Sequence, residues 1–512
     1  MIYFDLSRVY DGMASNMSVI QTQQSSHTGG PVWSGKSVNG RFRSLFQLKT
    51  RRIPFILLSG IFPILVGAME TEAPYQQLSL SQLEQRLTNT DSELEQLPNY
   101  SLRGGVGTKG YRSTGHPDPD HTEWVRIELG ETGPIDQVVL VPTILRDTKR
   151  GFVDEGFPKE FQIIVGLSGD EKGTIVASYG AKDPLQPRIA PLVSSFPAKS
   201  ADWVRIEATK LSPRGFEGRF FLQLAEIFVF SGAENVALRK PIKASSQTPI
   251  VASIYDYAWR PEFAVDGFVP YLMDAEEGEQ SLAFVGFPVS HPILTFDLEA
   301  SLPINRIHLH TVEQSATVPL TTVGDFGLPK RLTVHGANQA DFSDGSILID
   351  YTRLPIRDTG PILQLPFPET SYRYIRLTAE PEVITLENDQ ETANIGFAEI
   401  ELFSQGRNVL VGKPAQTNLV PNNPVRSVAS LTDGLNFYGK ILPIREWLNR
   451  LARRHDLETD RPLLVAELNH RYARQKATLN LMYWVSALLV AGLVFTILIE
   501  HILRLRQVAR IK

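Results

Sequence analysis

The sequence predicts a mainly β protein built from two tandem β-sandwiches, followed by a helical segment that leads into one membrane-spanning helix. Three observations carry this. First, DEGFPK at Asp154 to Lys159 returns as DFGLPK at Asp325 to Lys330, and its surroundings return in the same order. VRIEL at Val125 to Leu129 is echoed by LTFDL at Leu294 to Leu298 at an offset of 169, and Ala225-Glu226-Ile227 by Ala398-Glu399-Ile400 at an offset of 173. A period near 170 suits a whole globular domain and is too long for a solenoid unit. Second, apolar residues inside each repeat alternate in short runs, as in Val125-Ile127-Leu129 and Phe161-Ile163-Val165, between turns of Pro, Gly and Asp. That period of two marks antiparallel sandwiches. Third, the run from Leu481 to Ile499 holds no charged residue.

Taken from the amino end, residues 1–68 read as a polar lead and an export signal. The apolar run Ile53 to Val66 follows Lys49, Arg51 and Arg52 and ends in Val66-Gly67-Ala68, a small-residue cleavage pattern. The true start is then a later codon, or the lead is a disordered extension. Residues 69–97 read as a short helical lead-in, with Leu80, Leu83, Leu87 and Leu94 at near-helical spacing. The first sandwich is assigned to residues 98–232 and the second to residues 233–406. Residues 407–440 read as a third module that begins and stops, because RNVLVGKPAQTN at Arg407 to Asn418 repeats NVALRKPIKASS at Asn235 to Ser246, and LTDG at Leu431 to Gly434 repeats AVDG at Ala264 to Gly267.

Residues 441–480 read as juxtamembrane helices, the first over Ile444 to Leu457 and the second opening near Asp460 and Pro462, where a proline just inside a capping Asp marks a helix start. From Leu463 no Pro intervenes before Lys512, so the second helix runs on through the membrane span at 481–499 and into a cytoplasmic exit helix at 500–512. At 1.5 Å per residue the apolar run covers about the 30 Å hydrocarbon core. More than half of it is Leu, Ile, Val or Phe, which favour insertion. Ala487 and Ala491 form a small-xxx-small pair that would let two such helices pack closely as a homodimer.

Charge is partitioned. The formal net charge is −5, while residues 1–52 carry +5 and residues 441–512 carry +6, so the stretch between them carries −16. An acidic exported region excludes nucleic acid, which demands basic patches. The chain has no cysteine, so disulfides and thiolate metal sites are excluded.

The second repeat carries a further signal. NVALRKPIKASS at Asn235 to Ser246, AVDG at Ala264 to Gly267, LTFDL at Leu294 to Leu298, PKRLTVHGAN at Pro329 to Asn338, YRYIRL at Tyr372 to Leu377 and GFAEIELF at Gly396 to Phe403 resemble, in order, the landmarks of discoidin domains, also called coagulation factor 5/8 type C domains. The first repeat is similar through TEWVRIELG at Thr122 to Gly130, PKEFQIIVG at Pro158 to Gly166, WVRIEA at Trp203 to Ala208 and LAEIFVF at Leu224 to Phe230, but lacks the Asn-rich opening. The resemblance implies eight-stranded jelly-roll sandwiches whose loops at one end grip a sugar or a lipid head group, with no catalysis. It breaks after Asp266-Gly267, where FVPYLMDAEEGEQ replaces a Trp-containing stretch of the family.

Candidate site residues are few. Tyr255, Tyr257, Trp259 and Tyr271 sit among the early landmarks of the second repeat, where aromatic faces suit sugar rings and core packing is the rival account. His116, Asp118, Asp120 and His121 in HPDPDH offer two imidazoles and two carboxylates to a divalent cation, against the plainer reading of a polar turn. RGGVGTKG at Arg103 to Gly110 lacks the ending of a phosphate loop. His455-Asp456 resembles a phosphoacceptor pair but reads as a solvated helix position outside the membrane. No cofactor and no catalytic core are expected. The juxtamembrane RLRQVARIK resembles the exit helix of bacterial sensor histidine kinases, which implies a kinase that follows this chain or is encoded separately. The expected function is the extracytoplasmic carbohydrate-sensing region of a two-component-type protein, and the alternative is a passive adhesin or polysaccharide-binding protein.

Overall fold

A computed structural model describes residues 75–510, apart from residues 102–108, 148–150, 181, 184, 186, 214–217, 250–258, 276–277, 288, 313–326, 354–359, 382–383, 386–390 and 393. The expected export signal therefore lies outside the described residues, as do Tyr255, Tyr257, Asp325 and most of the glycine-rich RGGVGTKG.

Two seven-stranded antiparallel sheets form the bulk of the chain. In the first, β1 (Glu123–Val141), β2 (Glu160–Gly166), β3 (Thr174–Tyr179), β4 (Leu192–Lys210), β5 (Glu226–Ser231), β6 (Glu234–Asn235) and β7 (Ile242–Ala244) lie in the order β6-β5-β1-β4-β2-β3, with β7 also on β1. The second repeats this with β8 (Ile293–His310), β9 (Arg331–Ala337), β10 (Ser346–Thr352), β11 (Ile362–Glu380), β12 (Glu399–Ser404), β13 (Arg407–Asn408) and β14 (Ala415–Thr417), in the order β13-β12-β8-β11-β9-β10, with β14 also on β8. The alternation read from sequence is the alternation of burial. Val125, Ile127 and Leu129 face the first core with Ile163, Ile206 and Ile227, and Leu294, Phe296 and Leu298 face the second with Leu332, Ile375 and Ile400. The chain is mainly β and built of sandwiches, as the sequence predicts.

The phase of the modules differs from the sequence reading. The Asn-rich segment assigned to the start of the second sandwich closes the first: Ile242↔Ile127, Lys243↔Arg126 and Ala244↔Val125 pair β7 with β1, and Ala264 and Val265 sit in the first core. Residues 407–434 likewise complete the second sandwich through Leu294↔Thr417 and Phe296↔Ala415. No third module begins there. The first repeat therefore has its Asn-rich signature, carried at its carboxyl end. One glutamic acid side chain per module fixes this closure. Glu226 Oε1 accepts the Gly267 amide at 2.8 Å and Glu399 Oε1 accepts the Gly434 amide at 3.1 Å. Both glycines have left-handed backbones, φ +87° and +76°, which a side chain would strain.

The helices also differ from expectation in one respect. α1 (Leu80–Leu94) opens on a Ser79 capping box with Gln82 and lies in the segment read as helical. α2 (Ile444–Arg510) is one helix of 67 residues with Pro462 inside it, where the sequence suggests a break. A proline in a helix interior removes one hydrogen bond and costs about 3 kcal/mol. Here α1 lies antiparallel along the same stretch and splints it. Arg461 pairs with Asp91 at 2.6 Å, Arg453 with Glu93 at 2.7 Å, and Arg454 Nη1 donates to the Leu97 carbonyl at 2.9 Å. Leu83 packs with Leu464 and Leu468 beyond the proline. The amino-terminal part of α2 is thus held in register on both sides of Pro462. Its far half contains a window long and apolar enough to cross a membrane, with none of it buried in the protein.

Candidate functional site

The outer faces of the two sheets have diverged, and that divergence builds the site. In β1 and β5 the residues facing away from the first core are Val139, Val141, Phe228 and Phe230. They pack with Trp447, Leu448 and Leu451 of α2 and with Phe268, Val269, Tyr271 and Met273. The stretch that departs from the discoidin pattern is this wedge. Tyr271 is fully buried in it, 6.2 Å edge-to-face from Trp447, and its hydroxyl donates to the Ile189 carbonyl at 2.6 Å. Tyr271 is therefore a packing residue, and burial raises its pKa well above the usual phenol range. Trp259 is likewise buried, stacked under Arg112 at 4.6 Å. Neither presents a face to a ligand.

Offsets of 169 and 173 place His308 and His310 of β8 where Val139 and Val141 stand, and Glu401 of β12 where Phe228 stands. The second sheet thus carries a buried polar group where the first carries the helix-binding apolar face. Glu401 Oε2 meets His310 Nε2 at 2.9 Å and His308 Nδ1 at 3.3 Å, and Glu401 Oε1 accepts Asn408 Nδ2 at 3.4 Å. Burial pushes His308 down to about 4, so it is neutral at physiological pH. Burial alone would raise Glu401, but hydrogen bonds to both imidazoles outweigh it and hold the carboxyl at about 2. With Glu401 ionised, the shared proton sits on His308 Nδ1, which leaves Nε2 as a bare acceptor.

Around His308 the two sandwiches and both helices enclose a cleft of about 640 Å3. The first sandwich contributes Phe230 and Asn235, the second Arg306, His308 and Phe403, and α2 contributes Arg445, Asn449 and Arg453. The charges there are matched. Arg306 pairs with Glu234, Arg445 with Asp136 at 3.0 Å, Arg450 with Glu446 at 3.7 Å and Arg453 with Glu93. Among the described lining residues, four buried side-chain polar atoms have no hydrogen-bond partner: Arg306 Nε, His308 Nε2, Asn235 Nδ2 and Asn449 Oδ1. No motif points to this cleft, because its walls come from segments hundreds of residues apart. The visible signal is the pair of histidines at alternate positions of a strand whose first-repeat copy has Val139 and Val141 there.

The HPDPDH string divides. His116 and His121 stack at 3.6 Å and join Glu123, a residue the sequence reading did not include, as the group of donors close enough for one cation among the described residues. Asp118 and Asp120 do not join. Asp118 Oδ1 accepts the Asp120 amide at 2.9 Å and Asp120 faces Lys210 at 3.4 Å. Glu123 is buried and engaged by His116 at 2.6 Å, by Ser246 at 2.7 Å and by Ser245. His455-Asp456 is not a purely solvated pair. Asp456 faces the buried Arg188 of the first sandwich at 3.8 Å, and burial lowers His455 to about 4.

No protein-family model matches this sequence, and no curated protein does. Among solved structures, the chain is similar to the CBM32-1 and CBM32-2 domains of Clostridium perfringens ZmpB in complex with GalNAc, at 12% identity over 62% of this chain and 93% of that one, with a TM-score of 0.18. It is also similar to the Clostridium perfringens module CpGH89CBM32-5 in complex with GalNAc-β-1,3-galactose, at 17% identity over 22% of this chain and 63% of that one, with a TM-score of 0.16. A chitosan-binding module of a chitosanase/glucanase from Paenibacillus sp. IK-5 matches at 19% identity over 25% of this chain and 79% of that one, with a TM-score of 0.18. At these values the sandwich assignment rests on the chain's own strand pairing.

Proposed function

We propose that this chain is the membrane-anchored, extracytoplasmic ligand-binding region of a two-component-type signalling protein, with a carbohydrate as its ligand and a cytoplasmic kinase as its output. Its role is binding rather than catalysis. The observation that carries the reading is the path of α2. The helix starts packed against the first sandwich through Trp447, Leu448 and Leu451, borders the 640 Å3 cleft, and continues unbroken for 67 residues past the apolar window. A rigid rod passes a shift or rotation of its outer end to its inner end, whereas an anchor needs no such stiffness. An export signal before residue 69 and a cytoplasmic end after residue 499 complete the topology.

The absence of cysteine makes single-site labelling clean. The full chain with Gln507→Cys, spin-labelled in nanodiscs, is expected to change its label environment or inter-label distance when a soluble glycan binds. Two glycines inserted after Lys476 should remove the change and leave binding intact. Binding with no response in the uninterrupted chain would establish a passive surface protein instead. If no member of a broad glycan array binds, the carbohydrate assignment falls.

A further inference from the structure

We infer that the cleft between the two sandwiches and the outer end of α2 is a binding site for a neutral, polyhydroxylated ring of mono- or disaccharide size. This rests on the carbohydrate reading above and places the ligand away from the loop ends of the sandwiches. Size, charge and the unpartnered atoms lead to it. The cleft, at about 640 Å3, falls within the roughly 300–1,000 Å3 usual for small-molecule sites. Its arginines are all paired with carboxylates, so an ionic ligand would have to displace existing partners and leave a charge uncompensated.

The unpartnered atoms decide the chemistry. Arg306 Nε and Asn235 Nδ2 can only donate, whereas Asn449 Oδ1 can only accept. His308 is 3% exposed and its Nδ1 faces Glu401, which leaves Nε2 to accept. A carboxylate or a fully ionised phosphate group would serve the two donors and offer nothing to the two acceptors. An ammonium would do the reverse. A hydroxyl both donates and accepts, so a polyhydroxylated ring is the ligand class that matches a wall holding both kinds of atom. Phe230 from the first sandwich and Phe403 from the second border the cleft, with Arg445 over one ring at 5.6 Å and Arg306 over the other at 4.4 Å, so they supply apolar edges rather than open faces. The placement also explains coupling, since one ligand would touch both sandwiches and the first turns of the helix that leaves for the membrane.

The test uses the full chain in nanodiscs and titrates galactose, N-acetylgalactosamine, glucose and lactose by calorimetry, with inorganic phosphate and sorbitol beside them. His308→Asn keeps a donor toward Glu401 and deletes the Nε2 acceptor, and Asn449→Leu deletes the other acceptor. Each is expected to weaken the best sugar by roughly tenfold, one hydrogen bond's worth. Ala233→Trp, on the exposed hairpin at the rim, is expected to abolish binding by filling the cleft. Thermal melts of each variant separate lost binding from lost folding. A sugar that binds the parent chain and all three folded variants equally would overturn the cleft assignment while leaving the carbohydrate reading standing. Tighter binding of phosphate than of any sugar, or no sugar binding even at high millimolar concentration, would overturn the ligand class as well.

Discussion

Trp447→Ala tests the joint on which coupling depends. Trp447 is fully buried between the outer face of the first sheet and Tyr271, and Leu448 and Leu451 beside it are equally buried. A buried tryptophan removes roughly 150–250 Å2 from water, which at about 25 cal/mol per Å2 is about 4–6 kcal/mol. Truncations of this kind cost about 3–5 kcal/mol once partial relaxation is included. Each sandwich keeps its own core without Trp447, so the loss falls on the docking of α2 and spares the sheets. A loss of that size multiplies the opening equilibrium constant by some hundredfold or more, since every factor of ten corresponds to about 1.4 kcal/mol. Hydrogen exchange by mass spectrometry on the full chain should show that acceleration across residues 444–457. Amides in β1, β4, β8 and β11 should be unchanged. Exchange in 444–457 within a factor of three of the parent would refute the claim that this cluster holds the helix. Equal acceleration in the sheets would refute its independence from the sandwich cores.

Three further outcomes concern the buried titrating groups and the histidine cluster. Burial raises Glu399 to about 10, so in the folded chain it keeps its proton while the unfolded chain loses it above about 4.5; stability should therefore fall as pH rises from 4.5 toward 10, by up to about 1.4 kcal/mol per pH unit. Glu399→Gln, which still accepts the Gly434 amide, should flatten that slope in urea titrations, and an unchanged slope would remove Glu399 as its source. His308 shifts the opposite way: held at about 4, it resists the proton that the unfolded chain accepts below about 6.5, so it should contribute about 3 kcal/mol to the loss on acidification from pH 7 to 4.5; His308→Asn should remove that share and leave the share of His455, also held at about 4. Any rise in melting temperature with added zinc should vanish in His121→Ala and persist in Asp118→Ala, because only His121 stands with His116 and Glu123; the reverse result would restore the HPDPDH carboxylates as donors.

Much of the architecture is local in origin and could be read directly. Strand alternation, the capping Ser79 and the charge-free run at 481–499 each depend on residues within a few positions of one another. The Pro462 break fails as an expectation because the splint that overrides it, Asp91 and Glu93 against Arg461 and Arg453, comes from a helix some 370 residues earlier. Tyr271 and Trp259 resemble ligand contacts for a related reason. An aromatic residue in a turn-rich stretch has the same local signature whether it faces solvent or a neighbouring helix.

The sequence alone determined that two repeated sandwiches precede an apolar helix, because a repeat shows its period in its own register and a span shows its length in its own run. It did not determine where one sandwich ends and the next begins, since a periodic chain can be cut at any phase. That was decided by hydrogen bonding across the sheet, where Ile242 to Ala244 reach back to Val125 to Ile127. The cleft was decided the same way, by two sandwiches and two helices meeting around His308, since a site made of non-local contacts leaves no motif along the chain.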